Sequence, residues 1–319
     1  MKNILLATTA LVATAGIASA EVALSGYAEL GIFQNENDSG DGASPLASDT
    51  TRVFTDIDVT FSMTGEADNG LTFGASIDLD ELDGDGDTSD AARLPDSTIF
   101  MAFGPMTLTV GDTDSAFDAR LTETAIGGAI NDDHTVHPGY NGNSALDEAY
   151  GGQEIRLDYA FDSFTASVSM SPDRFDNFDP SFAVGVSYNA ELAGLDLGVG
   201  LGYIQVDESA FVYDQIIGLS LSTTFNNGLQ GILNYSHWTD DSTGGADDAS
   251  HMAVGLGYSM NALTIGFNYG VYDLPGGDVE GYGLAVNYDL GGGLVAQLGY
   301  GAGDDPYEDT FSLGVAMSF

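Results

Sequence analysis

From Glu21 onward, apolar side chains fall on every second residue, and the runs are broken about every ten residues by Gly, Asn, Asp or Pro. Val22, Leu24, Gly26, Ala28, Leu30 and Ile32 share one face, with Ser25, Tyr27, Glu29 and Gly31 on the other. Val53, Thr55, Ile57, Val59, Phe61 and Met63 alternate in the same way with Arg52, Phe54, Asp56, Asp58, Thr60 and Ser62. A period of two sends successive side chains to opposite faces of a β-strand. Sixteen such runs can be counted, the last ending in Phe311, Leu313, Val315, Met317 and Phe319. Short turns such as Gly104-Pro105, Asp162-Ser163 and Asn261-Ala262 take turns with long acidic connections. The pattern predicts a series of antiparallel hairpins with all long connections at one end.

One connection differs from the rest. Asp112–Gly152 shows no alternation for forty-one residues, and long irregular connections are usually functional. Asp114-Ser115 can cap a short helical turn in which Phe117 and Leu121 lie on one side, four residues apart, and hold the segment against a wall. Arg120 sits in the same turn and suits an anchoring ion pair.

Periodicity does not say whether the apolar face turns inward, as in a soluble sandwich, or outward into lipid. Three features favour a closed transmembrane barrel. Sixteen is an even number common in such barrels and large for one sandwich. Tyr159, Tyr188, Tyr203, Tyr258, Tyr288 and Tyr300 recur at the ends of apolar faces, as an interfacial girdle requires. The other face is largely Gly, Ser, Thr and Ala. Closure also satisfies every backbone group without an edge, as lipid demands. The expected fold is all-β: a 16-stranded antiparallel transmembrane β-barrel spanning residues 21–319, with 112–152 as its third long loop.

Composition and charge narrow the class. There are 43 glycines, eight prolines and no cysteine, which suits strands with tight turns and removes disulfides and thiolate chemistry. Met1-Lys2-Asn3, the apolar run Ile4–Ile17 and Ala18-Ser19-Ala20 resemble an export signal over residues 1–20. Past that point five arginines and no lysine stand against 49 acids. Such a surface repels nucleic acid and attracts cations.

Glu21-Val-Ala-Leu-Ser-Gly-Tyr27, the closing aromatic strand Phe311–Phe319, and Val110-Gly-Asp-Thr-Asp-Ser-Ala-Phe-Asp118 resemble the alphaproteobacterial general porins. The resemblance implies a homotrimer in the cell outer membrane, surrounded by lipid and lipopolysaccharide, that passes small hydrophilic solutes without catalysis or a required cofactor. It also implies that the third loop, 112–152, folds inward and narrows the pore, and that the terminal Phe319 serves as an assembly signal. Wall arginines in that family face loop acids across the pore.

The acidic side of such a constriction would be Asp114, Asp118, Glu123, Asp132, Asp133, Asp147 and Glu148. On the wall, Arg52 and Arg156 occupy polar-face positions, but so do Glu29, Asp56, Asp58 and Asp78. Related porins often carry a basic residue where this chain has Glu29, so the positive side is thin and cation preference is expected. Asp83, Asp85 and Asp87 suggest a loose structural calcium site. They do not form an EF-hand, because the sixth and twelfth positions are Thr88 and Leu94 rather than Gly and Glu.

Two other functions remain open. A substrate-specific channel would show a file of aromatics along the pore. An outer-membrane barrel hydrolase would need a nucleophile and base on one face, whereas Ser236 and His237 are neighbours that point to opposite faces.

Overall fold

The computed structural model describes residues 21–35, 51–80, 97–130, 137, 139–140, 146–147, 150, 153–173, 177–208, 210–240, 247–304 and 309–319. The proposed export signal and the Asp83, Asp85 and Asp87 cluster lie outside these residues, as do Asp132, Asp133 and Glu148.

Sixteen strands form one closed antiparallel barrel in which each pairs with its sequence neighbours. The first five are β1 (Glu21–Asn35), β2 (Arg52–Glu66), β3 (Thr72–Asp80), β4 (Ser97–Phe103) and β5 (Met106–Gly111). After the long connection come β6 (Glu154–Phe161), β7 (Phe164–Ser171), β8 (Ser181–Leu192), β9 (Leu195–Gln205) and β10 (Gln215–Phe225). β11 (Leu229–Thr239), β12 (Ala249–Met260), β13 (Leu263–Asp273), β14 (Val279–Gly291), β15 (Leu294–Gly303) and β16 (Thr310–Ser318) complete the set. β16 returns to β1 in register from Tyr27 opposite Ser318 to Asn35 opposite Thr310, which leaves no free edge.

Local sequence fixes the short ends. Phe161 pairs with Phe164 and Met260 with Leu263, leaving two-residue turns. Asp162 and Asn261 each take φ 54°, the left-handed conformation such tight hairpins need and that Asp and Asn tolerate.

The outward face is apolar around the barrel: Val53, Ile99 and Phe161 are 69%, 61% and 66% exposed. Ser220, Ser236 and Asn268, one residue out of phase, are almost fully buried. This is the reverse of a soluble sandwich. So continuous an apolar surface needs lipid against it. Aromatics flank the band at both ends: Phe164 lies against Tyr188 near the short turns, while Tyr282 and Tyr300 meet near the long loops.

Candidate functional site

The connection between β5 and β6 lies, in its described residues, along the inward face of the wall, strand after strand. It enters through a single 3-10 turn, Asp118–Arg120. Ser115 Oγ accepts from the Asp118 amide at 3.3 Å and Ser115 O from the Ala119 amide at 3.0 Å, so Ser115 starts the turn. Leu121 is already extended, which makes the helical part shorter than the sequence pattern suggests. Phe117 and Leu121 nevertheless share a side, both lying over Gly218 of β10. Phe117 is fully buried among Ile204, Val206, Ile216, Ala183, Leu146 and Tyr150, with Leu121 packed at the margin.

The backbone then crosses one strand after another. The Ala116 amide donates to Ser169 Oγ of β7 at 2.8 Å, and the Thr122 amide to Ser220 Oγ of β10 at 3.0 Å. Asn287 of β14 clamps Gly128: its Oδ1 accepts from the Gly128 amide and its Nδ2 donates to the Gly128 carbonyl, both at 2.7 Å. Ile130 reaches Gly31 of β1 and Gly314 of β16. Glycine makes this approach possible. A Cβ on Gly200 would stand 2.2 Å from the Arg120 carbonyl oxygen, and one on Gly266 1.7 Å from that of Ile126; backbone cannot yield to either.

The return limb touches the wall again. His137 Nε2 lies 3.1 Å from Asn268 Oδ1, and His251 Nε2 lies 2.6 Å from the Gly139 carbonyl. Burial, opposed by the hydrogen bond to Asn268 and aided by nearby His251, pushes the His137 imidazole down to about 4. Near its end the limb closes on its beginning, where Asp147 Oδ1 accepts from the Ser115 amide at 2.7 Å.

The charged groups form two sets. In the first, Arg156 Nε donates to Asp158 Oδ2 at 3.1 Å and its Nη1 to the Asp114 carbonyl at 2.7 Å. Arg120 Nη2 lies 4.0 Å from Asp158 Oδ1. Burial lowers the Arg120 guanidinium from its ordinary value, opposed by Asp158. Both arginines are thus held on one flank, beside loop residues, with carboxylates between them. Asp114, Asp118 and Asp147 bring oxygens within 4.8 Å of one another, a spacing within reach of one oxygen-ligated cation. Glu123 is exposed and accepts from the Tyr140 hydroxyl at 3.0 Å.

The second set lies on the inward face of β1–β3. Glu29 stands directly opposite Asp56 in the ladder and Tyr27 opposite Asp58. Glu29 is buried and accepts from the Tyr27 hydroxyl at 2.5 Å, while Asp78 accepts from Thr60 Oγ1 at 2.9 Å. Arg52 lies on the same face, opposite Phe33. The structure therefore brings Asp114, Asp118, Asp147, Arg120 and Arg156 together, and groups Glu29, Asp56, Asp58, Asp78 and Arg52 on other strands. The buried histidines escaped the sequence reading; the inward position of His251 between Ser-, Ala- and Gly-rich neighbours was the available signal.

A closed barrel with an apolar exterior, a polar interior and a loop laid along its inner wall defines a membrane-spanning channel protein. The chain belongs to the Gram-negative porin family, whose model matches residues 7–306. It is 28% identical over 323 residues to a porin of Rhodobacter capsulatus, covering 94% of this chain and all of that one. A porin of Fuscovulum blasticum is 24% identical over 289 residues, covering 86% of this chain and 92% of the relative. A mutant of the Rh. blastica porin has the same fold, with a TM-score of 0.68 at 21% identity over 93% of this chain and 100% of its own. The protein is an outer-membrane diffusion channel of the alphaproteobacterial general porin type.

Proposed function

We propose that the channel is a water-filled, cation-preferring pore for small hydrophilic solutes, narrowed by loop 112–152. The observation that carries this reading is the placement of charge. Arg120 and Arg156 are engaged by Asp158 and Asp114 on one flank, while β1–β3 carry Asp56, Asp58 and Asp78, with Glu29 buried beside Tyr27, on their inward face. With low-dielectric walls focusing the field, excess carboxylate concentrates cations and excludes anions. Selection then rests on bore and field, with no catalytic step and no cofactor in transport; the carboxylates of Asp114, Asp118 and Asp147 are the described groups suited to a structural Ca²⁺.

General diffusion fits better than a dedicated sugar or aromatic-solute path. The inward Trp238 meets Tyr213 and Tyr272 edge-on, at 83° and 87°, so these rings form no continuous flat file among the described residues. A hydrolase is disfavoured by Ser236, which is buried and accepts from Trp238 Nε1, while His237 lies by Asp248 at the surface. The family resemblance supports a homotrimer embedded in outer-membrane lipid and lipopolysaccharide. Reconstitution in planar bilayers tests the proposal: conductance should appear in three equal steps, and the reversal potential in a salt gradient should favour potassium. A potential favouring chloride would overturn the charge argument.

A further inference from the structure

The two peptide groups of Gly139 are gripped from both sides by imidazoles. Its amide donates to His137 Nδ1 at 3.2 Å, and its carbonyl faces His251 Nε2 at 2.6 Å. A backbone N–H can only donate and a carbonyl only accept, so the tautomers are forced. His137 must carry its proton on Nε2, where it donates to Asn268 Oδ1, and leave Nδ1 bare. His251 must carry its proton on Nε2, which leaves Nδ1 bare, buried and without a partner. Both rings are shielded, at 7% and 1% exposure.

We infer that His137 and His251 form a proton-operated latch that holds the loop at His137, Gly139 and Tyr140 against β12 and β13 at neutral pH and releases it in acid. A proton on His137 Nδ1 replaces the acceptor of the Gly139 amide with a second N–H, so the bond is lost and two donors face each other. A proton on His251 Nδ1 places a new buried donor where nothing accepts it. Either event also puts a cation beside the other ring.

Among the described residues no carboxylate is hydrogen-bonded to either ring. From β13 the facing groups are Asn268 and Tyr272, whose ring centroid is 4.4 Å from that of His251. From the loop itself Tyr140 packs edge-on against His137 and directs its hydroxyl to Glu123. Among the described residues the charge that acts on His137 is that of His251. The sign follows: the folded His137 value is below its ordinary one, so the latch is fully closed above about 6.5 and is lost as pH falls toward about 4. Movement can go only one way. A Cβ on Gly139 would already be 2.1 Å from the Gly270 carbonyl oxygen, so the wall stands directly behind the segment. A released segment enters the lumen and reduces conductance.

The inference rests on the reading of this barrel as a water-filled pore, and the test separates the two. Single-channel conductance is followed from about pH 7 to about pH 4 in the native protein and in a His137→Asn, His251→Gln variant. The variant keeps an acceptor for the Gly139 amide and a donor for its carbonyl but has no group there that titrates in this range. The native channel should lose conductance with a midpoint between about 4 and 6.5, and the variant should keep it. An equal loss in both would assign the response to pore carboxylates and overturn the latch, as would no loss in the native protein. Hydrogen-exchange protection of the Gly139 amide, measured on the same two proteins, reads the latch without requiring current. Protection should collapse in acid only in the native protein, and its persistence would refute release. No current at neutral pH would defeat the pore reading alone.

Discussion

Phe117→Ala should free the entrance of the loop while leaving the barrel intact. The ring is fully buried and lies over Gly202 and Gly218, where even a Cβ would come within 2.8 Å of it. Those positions carry no side chain that could move into the void. Truncating a buried phenylalanine costs about 3–5 kcal/mol, with the larger values where the cavity cannot collapse. Taking about 4 kcal/mol, the balance between wall-bound and detached entrance shifts roughly 10³-fold. The strand ladders do not depend on this ring, so the resistance of the barrel to unfolding in detergent should stay close to native. Limited proteolysis between Asp112 and Thr122 should accelerate, and open-channel current noise should rise as the segment samples the lumen. If the folded variant showed native cleavage and native noise, the apolar anchor would be dispensable. The hydrogen bonds from Ala116 to Ser169 and from Thr122 to Ser220 would then suffice to hold the entrance.

Other outcomes follow from the same contacts. Gly200→Ala puts a methyl 2.2 Å from the Arg120 carbonyl oxygen; conductance should become heterogeneous, whereas Gly70→Ala in an open turn should leave pore properties unchanged. Arg156→Gln removes the guanidinium beside Asp114 and leaves Asp158 with Arg120 alone, at 4.0 Å, so reversal potentials should shift further toward cations, and a shift toward chloride would contradict the charge map. The pair Glu29→Gln and Asp56→Asn removes two facing carboxylates and should reduce cation preference without lowering single-channel conductance to zero, as measured in the same salt gradient.

The barrel was legible because its cause is local. A strand facing lipid on one side and water on the other must alternate, and each of the sixteen runs carries that signature by itself. The turns were legible for a similar reason, since Asp162 and Asn261 are residue types that accept left-handed backbone. Phe117 and Leu121 stood out as neighbours four residues apart. The path beyond them did not, because it is set by Gly200, Gly255, Gly266 and Asn287, which come from strands far along the chain. A glycine on a polar face reads as permissive in sequence; only closure shows that several of them line one course. The pairing of Arg156 with Asp158 also depends on rotamers that alternation cannot supply, and His137 needed His251, more than a hundred residues away, to acquire meaning.

The glycine course divides the work of the pore between two parts of the chain. Because the described loop backbone lies directly against the wall glycines, the wall fixes its course while its side chains set the local charge. Carboxylates such as Glu123 could be exchanged to retune which ions pass, with the seat unchanged beneath them. The wall glycines have no such freedom: any side chain there lifts the inlay into the stream.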